Sequence, residues 1–402
     1  MELQQKIKAI SAAQFDKLLS IRRHLHQHPE LSFEEVNTSL YIQEQLRSAG
    51  IPFTTGHVKT GIIALIEGKQ PSKKTLLLRA DMDALPIQEK NEVDYRSKHQ
   101  GVMHACGHDV HSSIALGAAF ILKEIKNEFQ GTVKIMFQPG EEVLPGGAAL
   151  MIKDGVLQNP EVDKAIALHV FPEMEAGKVG FRKGMYMAST DELYITVNGK
   201  GGHAAMPERY TNPLIAASAI LLEIQNTFMQ KEALKGTGGE NVPTVVAFGK
   251  MEAKGATNVI PDKVELAGTF RTMNEAWRAD FHQRLKTLVS AKAKEYGCNA
   301  ELRVEKGYPF LVNDPDFTEK CMKAANAFLG SACVEELPLR MTAEDFAFIS
   351  QEVPSCFYRL GTGNAAKGIT SGVHTATFNI DESALQTGAG LMAWLAVSEL
   401  NS

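Results

Sequence analysis

Thr75-Leu76-Leu77-Leu78-Arg79-Ala80-Asp81-Met82-Asp83 is a short apolar run that ends in charged residues. Such a run is typical of a buried strand, and the carboxyl ends of strands are where open α/β sheets bind their ligands. The same pattern recurs twice, where Thr132–Phe137 leads into Gln138-Pro139-Gly140-Glu141-Glu142 and where Ala165–Leu168 leads into His169. Segments of helical periodicity separate these strands. The sequence therefore predicts an α/β fold with a doubly wound, mainly parallel sheet and one functional edge.

A second pattern begins near residue 188. Between residues 188 and 302 the periodicity predicts the order β-α-β-β-α-β, which is typical of a ferredoxin-like α+β domain. We therefore expect an inserted domain at 188–302 within a metal-binding catalytic domain formed by 1–187 and 303–402. A polar, glycine-rich stretch at 235–241 is predicted to be a linker inside the insertion.

Composition excludes several classes of protein. The chain has 402 residues, 44% of them apolar, and a formal net charge of −5, which gives no reason to expect a nucleic-acid partner. No apolar run approaches the roughly 18 residues of a membrane span, and the first residues lack the apolar core of a signal peptide. Five cysteines without paired spacing indicate a reducing compartment. We expect a cytoplasmic protein without a membrane partner.

A dense cluster of polar side chains, His104-Ala105-Cys106-Gly107-His108-Asp109-Val110-His111, points to metal binding. Thiolate and imidazole are good ligands for zinc-like ions. Because one cluster cannot complete a site, the remaining ligands must come from later segments, and Glu142, His169 and His374 are available there. With Cys106 as a bridging thiolate and His108 among the terminal ligands, these groups suffice for two ions.

Glu141 and Glu142 are given different roles. Adjacent side chains of an extended backbone point in opposite directions, so we expect Glu142 to bind metal and Glu141 to be the general base that activates water. By itself, a Glu-Glu pair after Pro-Gly is also typical of a helix N-terminus. The ligands that accompany the pair favour the catalytic interpretation.

Five stretches together resemble the M20 metallopeptidase family, and more narrowly its amidohydrolase branch of N-acyl-amino-acid, hippurate and auxin-conjugate hydrolases. They are Arg79-Ala80-Asp81-Met82-Asp83-Ala84-Leu85-Pro86, His104-Ala105-Cys106-Gly107-His108-Asp109, Gln138-Pro139-Gly140-Glu141-Glu142, Gly201-Gly202-His203-Ala204-Ala205-Met206-Pro207 and Thr257-Asn258-Val259-Ile260-Pro261. The similarity covers the whole chain in order, so it is specific for the family and less so for the substrate.

The resemblance implies two divalent metal ions per subunit, which could be Mn, Zn, Ni or Co, with Cys106 in the bridging position. It carries over Glu141 as the base, and Asp81 as the aspartate that orients a metal ligand. The peptidase branches have a histidine ligand where this chain has Arg79, and this departure favours the amidohydrolase branch. Thr-Ala after His374 also departs from the common pattern.

The resemblance also places substrate contacts on the inserted domain. His203 and Asn258 would donate hydrogen bonds to the scissile carbonyl as it becomes an oxyanion, and Arg271 would bind the substrate carboxylate. Taken singly, His203 could cap the following helix, Asn258 could be a loop residue and Arg271 a surface charge. A homodimer, or a dimer of dimers, through this domain is implied, and whether His203 acts in cis or in trans is left open.

The predicted function is a metal-dependent hydrolase that cleaves the amide bond of small-molecule N-acyl amino acids. Three alternatives remain at this stage. The first is a carboxypeptidase or dipeptidase on the same scaffold, against which Arg79 and Cys106 count. The second, from another enzyme class, has Cys106 as nucleophile and His108 or His111 as base. It leaves Glu142, His169 and His374 without a role. The third is a carboxylate-binding member that has lost catalysis, against which the intact Glu141 counts.

Overall fold

The computed structural model describes residues 2–71, 73–229 and 242–402. Its internal contacts divide the chain into two units. The first comprises Met1–Tyr186, Val312–Pro338 and Asp345–Ser402, and the second comprises Met187–Leu311 and Leu339–Glu344. The predicted linker at 235–241 lies outside the described residues.

The described residues contain both α-helices and β-strands throughout the chain. The helices are α1 Glu2–Ala13, α2 Phe15–Gln27, α3 Val36–Ser48, α4 His108–Glu124, α5 Gly147–Lys153, α6 Pro213–Phe228, α7 Glu275–Glu295, α8 Pro315–Leu329, α9 Ala347–Glu352 and α10 Ala384–Leu400. The strands are β1 Phe53–His57, β2 Gly61–Glu67, β3 Thr75–Asp81, β4 Thr132–Gln138, β5 Lys164–Glu175, β6 Val179–Phe181, β7 Gly184–Met187, β8 Asp191–Asn198, β9 Gly202–His203, β10 Thr244–Ala253, β11 Val259–Ile260, β12 Lys263–Thr272, β13 Asn299–Lys306, β14 Leu311–Asn313, β15 Val334–Glu336 and β16 Ser355–Gly363.

The first unit is built on an eight-stranded sheet with the order β1-β2-β4-β3-β5-β16-β6-β15. Its central strands β4, β3, β5 and β16 run parallel, whereas β1 and β2 add to one side in antiparallel fashion. Strands β3 and β4 are buried along their whole length, as expected for strands covered on both faces. The predicted mainly parallel sheet is therefore confirmed.

Helix α4 is the central helix of the first unit. Every residue from His108 to Leu122 is buried, and the helix packs against α2, α10 and β3. Its first turn is polar and its later turns are apolar and rich in alanine. The helix therefore has an anchored apolar body, and its amino-terminal end carries the side chains of the predicted site.

His169 does not end a strand, contrary to prediction. Strand β5 continues to Glu175, because Val170 and the residues after it keep a strand pattern. The register pairs Arg79 of β3 with Ala167 of β5, so two residues farther on His169 is level with Asp81, the last residue of β3. The histidine thus reaches the end of the neighbouring strand from the middle of its own.

The second unit contains a four-stranded antiparallel sheet with the order β10-β12-β8-β13. Along the chain its main elements follow the order β8, α6, β10, β12, α7, β13. Strands β9 and β11 form a separate antiparallel pair. Because β13 runs to Lys306, the predicted boundary at residue 302 falls inside this strand.

No helix among the described residues combines the length and the apolar character needed to cross a membrane.

Candidate metal centre

Four segments of the first unit carry the predicted metal ligands. Cys106 and His108 flank the turn into α4, Glu142 follows β4, His169 lies in β5, and His374 lies in the loop before α10. Each segment is part of the central sheet or is directly connected to the sheet or to α4. The fold therefore fixes the backbone from which each ligand projects.

Gly107 makes the turn between Cys106 and His108 possible. Its φ is 83°, a left-handed conformation that glycine adopts without cost. A Cβ at this position would lie 2.6 Å from Val170 Cγ2, so the neighbouring strand leaves no room for a side chain. The chain therefore turns sharply enough for the side chains of Cys106 and His108 to point toward the same place.

Cys106 lies between two histidines that are about 200 residues apart in the sequence. Its Sγ is 3.3 Å from His169 Nε2 and 3.3 Å from His374 Nε2. His374 has a φ of 61°, and its backbone N–H donates a 2.7 Å hydrogen bond to Ala105 O. That bond holds a conformation that a histidine adopts only with strain.

Among the described residues, five sets of three side chains bring possible ligand atoms within 4.8 Å of one another, and two of these sets contain Cys106. Cys106, His108 and His169 each offer a ligand atom within 4.8 Å of the others, and so do Cys106, Glu142 and His374. Only Cys106 belongs to both groups. Two ions with a shared thiolate match this division, because a thiolate and imidazoles suit divalent transition metals.

Two buried atoms of the site have no hydrogen-bond partner among the described residues. They are His108 Nε2 and Glu142 Oε1, which lie 3.9 Å apart. A buried polar atom without a partner is costly, since it has lost its hydration. A cation bound by each of the two Cys106 groups would satisfy both atoms, so the residues present fit a metal.

The surrounding charges are also those of a cation site. Burial raises the pKa of the Cys106 thiol well above its ordinary value, and the carboxylates of Glu142, Glu141 and Asp81 raise it further. Burial opposes the charged form of His108, yet nearby carboxylates, chiefly Asp81 and Asp83, raise its pKa to about 10. The same carboxylates contribute to both shifts, so the site has negative charge around it that a divalent cation would balance.

Glu141 and Glu142 point toward the same region, which corrects the reasoning from an extended backbone. Both carboxylates have an oxygen within 4.8 Å of a His108 ring nitrogen. The backbone bends here, with Gly140 at a φ of 61°, so strand alternation does not apply. What separates the two is their partners: Glu142 Oε1 is 3.3 Å from His374 Nε2, whereas Glu141 Oε1 accepts from the backbone N–H of Asp345 at 3.4 Å.

The aspartate that orients His108 is Asp83, which sequence reasoning missed. Asp83 Oδ1 lies 3.1 Å from His108 Nδ1, leaving Nε2 directed at the ligand cluster. Asp81 instead accepts from His111 Nδ1 at 2.6 Å and from Arg79 Nη1 at 2.5 Å. The sequence did carry a signal, since alternate residues such as Asp81 and Asp83 share one side of an extended chain.

The predicted substrate residues His203, Asn258 and Arg271 all lie in the second unit. His203 and Asn258 come together where β9 pairs with β11, and Ala204 N–H donates to Asn258 O at 3.0 Å. His203 Nδ1 accepts from Ala205 N–H, so Nε2 carries the proton of the neutral ring and can donate it. His203 does not cap α6, because Asn212 does so.

Arg271 lies elsewhere in the second unit, on β12. Its guanidinium donates to Met341 O at 3.2 Å. Among the described residues no carboxylate lies within ion-pair distance of it. A half-buried arginine without an anionic partner is available for a carboxylate ligand.

Comparison with known proteins identifies the family. Residues 77–397 match the sequence profile of Peptidase family M20/M25/M40. Thermostable carboxypeptidase 2 of Saccharolobus solfataricus is 36% identical over the whole of both chains. N-acetyl-L-cysteine deacetylase of Bacillus subtilis is also 36% identical, over 96% of this chain and 89% of its own. A solved structure from Bacillus subtilis, described as a dinuclear metal binding peptidase from the M20 family, superimposes with a TM-score of 0.81 at 33% identity, covering 97% and 99% of the two chains.

The shared thiolate predicts a specific pattern of metal loss. We expect metal-loaded protein to keep two divalent ions per chain after dialysis. Cys106→Ala removes the ligand common to both groups and should lose both ions, whereas His169→Ala and His374→Ala should each lose one. Metal content of zinc- or manganese-loaded variants is measured by inductively coupled plasma mass spectrometry.

A matched control is Cys333→Ala, which removes a half-buried thiol that belongs to no ligand group among the described residues. It should keep both ions. Two ions retained by Cys106→Ala would contradict the shared ligand.

A second prediction concerns Asp83. Asp83→Asn should weaken metal binding by about 10- to 100-fold, because it removes the carboxylate that fixes the His108 ring. Competition with a chromophoric chelator measures the affinity, and Asp94→Asn, at an exposed carboxylate, is the control. Unchanged affinity in Asp83→Asn would show that the ring is held without it.

Proposed function

The chain belongs to peptidase family M20/M25/M40, and from this membership and the geometry of the metal centre we propose that it hydrolyses the amide bond of N-acyl amino acids. As a member it is a metal-dependent hydrolase. The observation that carries the proposal is the pair of ligand groups that share Cys106. Glu141 belongs to neither of these two groups, but it lies within 4.8 Å of the ligand atoms of His108 and Glu142. This arrangement has the ligands for two ions and one carboxylate left for proton transfer.

Cys106, His108, Glu142, His169 and His374 would hold the two ions, which could be manganese, zinc, nickel or cobalt. When bound, such ions make water a stronger nucleophile at neutral pH and polarise a carbonyl group. Glu141 takes a proton from the attacking water and passes it to the leaving nitrogen. The Asp345 backbone N–H holds the Glu141 carboxylate, which is 7% exposed.

Residues of the second unit would bind the substrate. The protonated Nε2 of His203 and the side chain of Asn258 are hydrogen-bond donors for the scissile oxygen as it gains negative charge, and each donor contributes about 3–4 kcal/mol in known oxyanion holes. Arg271 has no carboxylate partner within the described residues and would bind the α-carboxylate of the amino acid. We assign this unit the role of a lid that completes the site.

Two kinds of substrate are compatible with the relatives. Similarity to the deacetylase from Bacillus subtilis supports a small N-acyl amino acid as the substrate of this chain. Similarity to the carboxypeptidase from Saccharolobus solfataricus supports a peptide. Both cleavages release an amino acid with a free α-carboxylate, so the same metal centre would serve either. We favour the N-acyl amino acid because Arg79, rather than a histidine ligand, precedes Asp81, as in the amidohydrolase branch.

A homodimer through the second unit is part of the proposal. Helix α6 exposes Ile215 and Leu222, at 53% and 66% of their surface, and β10 is an edge strand that exposes Met251. Exposed apolar side chains beside an unpaired strand edge suit a second copy of the same unit.

The proposed reaction is tested with metal-loaded protein and a panel of N-acetyl, N-benzoyl and indole-acyl amino acids and dipeptides, compared by kcat/KM. We expect an N-acyl amino acid to rank first, and chelation to abolish activity until a metal is restored. Glu141→Gln should lower kcat by about 10²- to 10⁴-fold without loss of metal, because it removes the proton acceptor.

The exposed Glu173→Gln is the control and should match wild type. Turnover that survives chelation but not thiol alkylation would indicate Cys106 as a nucleophile instead. A Glu141→Gln variant as active as wild type would reject the base.

The dimer is tested by complementation. If His203 acts in the partner's site, mixing His203→Ala with Glu141→Ala protein should restore activity, because a heterodimer then has one site with both residues intact. Exchange of subunits is monitored with differently tagged chains. Complete exchange without recovered activity would place His203 in its own site.

A further inference from the structure

A short segment before α3, residues 30–35, braces two parts of the metal centre and has no role in the chemistry above. We call it the strap. Leu31 forms a bridge with Ala84, and Ala84 N–H donates to Glu30 O at 2.8 Å, so the strap is joined to the chain just after β3. Ser32 Oγ donates to Asp83 Oδ2 at 2.6 Å.

Asp83 extends this contact to the metal centre. Its Oδ2 also accepts from the backbone N–H of Glu142 at 3.0 Å, while its Oδ1 contacts His108. One carboxylate thus connects the strap, the first residue of α4 and the segment after β4.

Glu35 makes a second and separate contact with the segment after β4. Its side chain is fully buried, and Oε1 accepts from the backbone N–H of Gly140 at 2.8 Å and from that of Phe33 at 2.8 Å. Oε2 accepts from Thr60 Oγ1 at 2.9 Å. Gly140 is the residue immediately before Glu141.

The ring of Phe33 also packs against Gly140, whose backbone N–H donates to Glu35. Its φ is 66°, an outlying conformation for an aromatic residue. Its ring lies so close to Gly140 that a Cβ there would be 2.4 Å from Phe33 Cζ. Strain of this kind persists only where surrounding contacts hold it, and here they hold the strap against the turn that carries Glu141 and Glu142.

From these contacts we propose that Glu35 is a positioning residue for hydrolysis: through Gly140 it fixes the direction of Glu141 and Glu142. The inference rests on the proposed function, in which Glu141 is the base. A misplacement of about 1 Å can cost about 100-fold in rate, so one hydrogen bond at the preceding residue is enough to matter.

The hydrogen bonds of Glu35, rather than its charge, perform this role. Burial and the nearby Asp83 carboxylate raise the pKa of Glu35 to about 7. The surroundings of Glu35 in the folded protein therefore disfavour its ionised form. A glutamine would still accept from Gly140 and Phe33 through Oε1, and its amide could donate to Thr60. Leucine, of similar size, can do neither.

The experiment compares Glu35→Leu and Glu35→Gln with wild type by kcat, KM, bound metal and the visible absorption of cobalt-substituted protein. We expect Glu35→Leu to lower kcat by about 10- to 100-fold, with KM within about twofold and both ions retained. Its cobalt spectrum should change, because Glu142 moves. Glu35→Gln should restore kcat and the spectrum.

Two controls separate positioning from general stability. Thr60→Val removes the bond to Oε2 and leaves the bond to Gly140, so it should lower the melting temperature and keep kcat. Glu34→Leu changes the exposed neighbour and should match wild type. If Glu35→Leu does not fold, Glu35→Asp, which withdraws the carboxylate by one methylene, should lower kcat in the same direction.

Wild-type kcat and an unchanged cobalt spectrum in Glu35→Leu, or in Glu35→Asp where the leucine variant does not fold, would overturn the inference. So would a Thr60→Val enzyme as slow as the Glu35 variant. If wild type hydrolyses no N-acyl amino acid, the proposed function fails. The cobalt spectra still decide whether Glu35 positions Glu142.

Discussion

Concentrated negative charge is the constraint on which this structure depends. Asp81, Asp83 and Glu141 lie within one buried region, where each carboxylate must find a partner. Burial and this negative charge together disfavour ionisation of the neighbouring Cys106 thiol. Arg79 supplies part of that compensation: it is fully buried and donates to Asp81 and, at 2.6 Å, to Asp345. His108 Nδ1 contacts Asp83, and the backbone N–H of Asp345 donates to Glu141, so these carboxylates have partners within the fold. In our proposal Cys106 and Glu142 bind the divalent ions.

These groups are positioned partly by rigid strands and helices and partly by strained turns. The parallel strands β3 and β5 set Asp81 and His169 at one level, and Gly107 turns the chain into α4. His374 and Phe33 occupy left-handed conformations at positions that contact the centre or its supporting turn. Such strain is maintained by neighbouring hydrogen bonds, which is why the residues behind the ligands matter as much as the ligands themselves.

The two units contribute different properties. The first carries the candidate metal ligands and Glu141, the proposed general base, which would serve both peptide and N-acyl amino acid hydrolysis. Among the described residues, the second carries an arginine with no carboxylate within ion-pair distance and a histidine whose Nε2 can donate. Relatives named as a carboxypeptidase and as a deacetylase are both 36% identical to this chain. Sequence identity alone therefore does not select between the substrates that the names of these two relatives imply.

The sequence by itself determined the mainly parallel sheet and the candidate ligands, because apolar periodicity and side-chain chemistry are local properties. The family followed from the resemblance of five sequence stretches to its members. Only the tertiary structure decided which carboxylate orients His108, how Glu141 and Glu142 can face one region, and where His169 lies in its strand. It also revealed Glu35 and Ser32, whose partners are distant in sequence. The physical reason is the same in each case. These contacts depend on which distant chain segments lie next to each other in the fold, and the local pattern of apolar residues does not specify that.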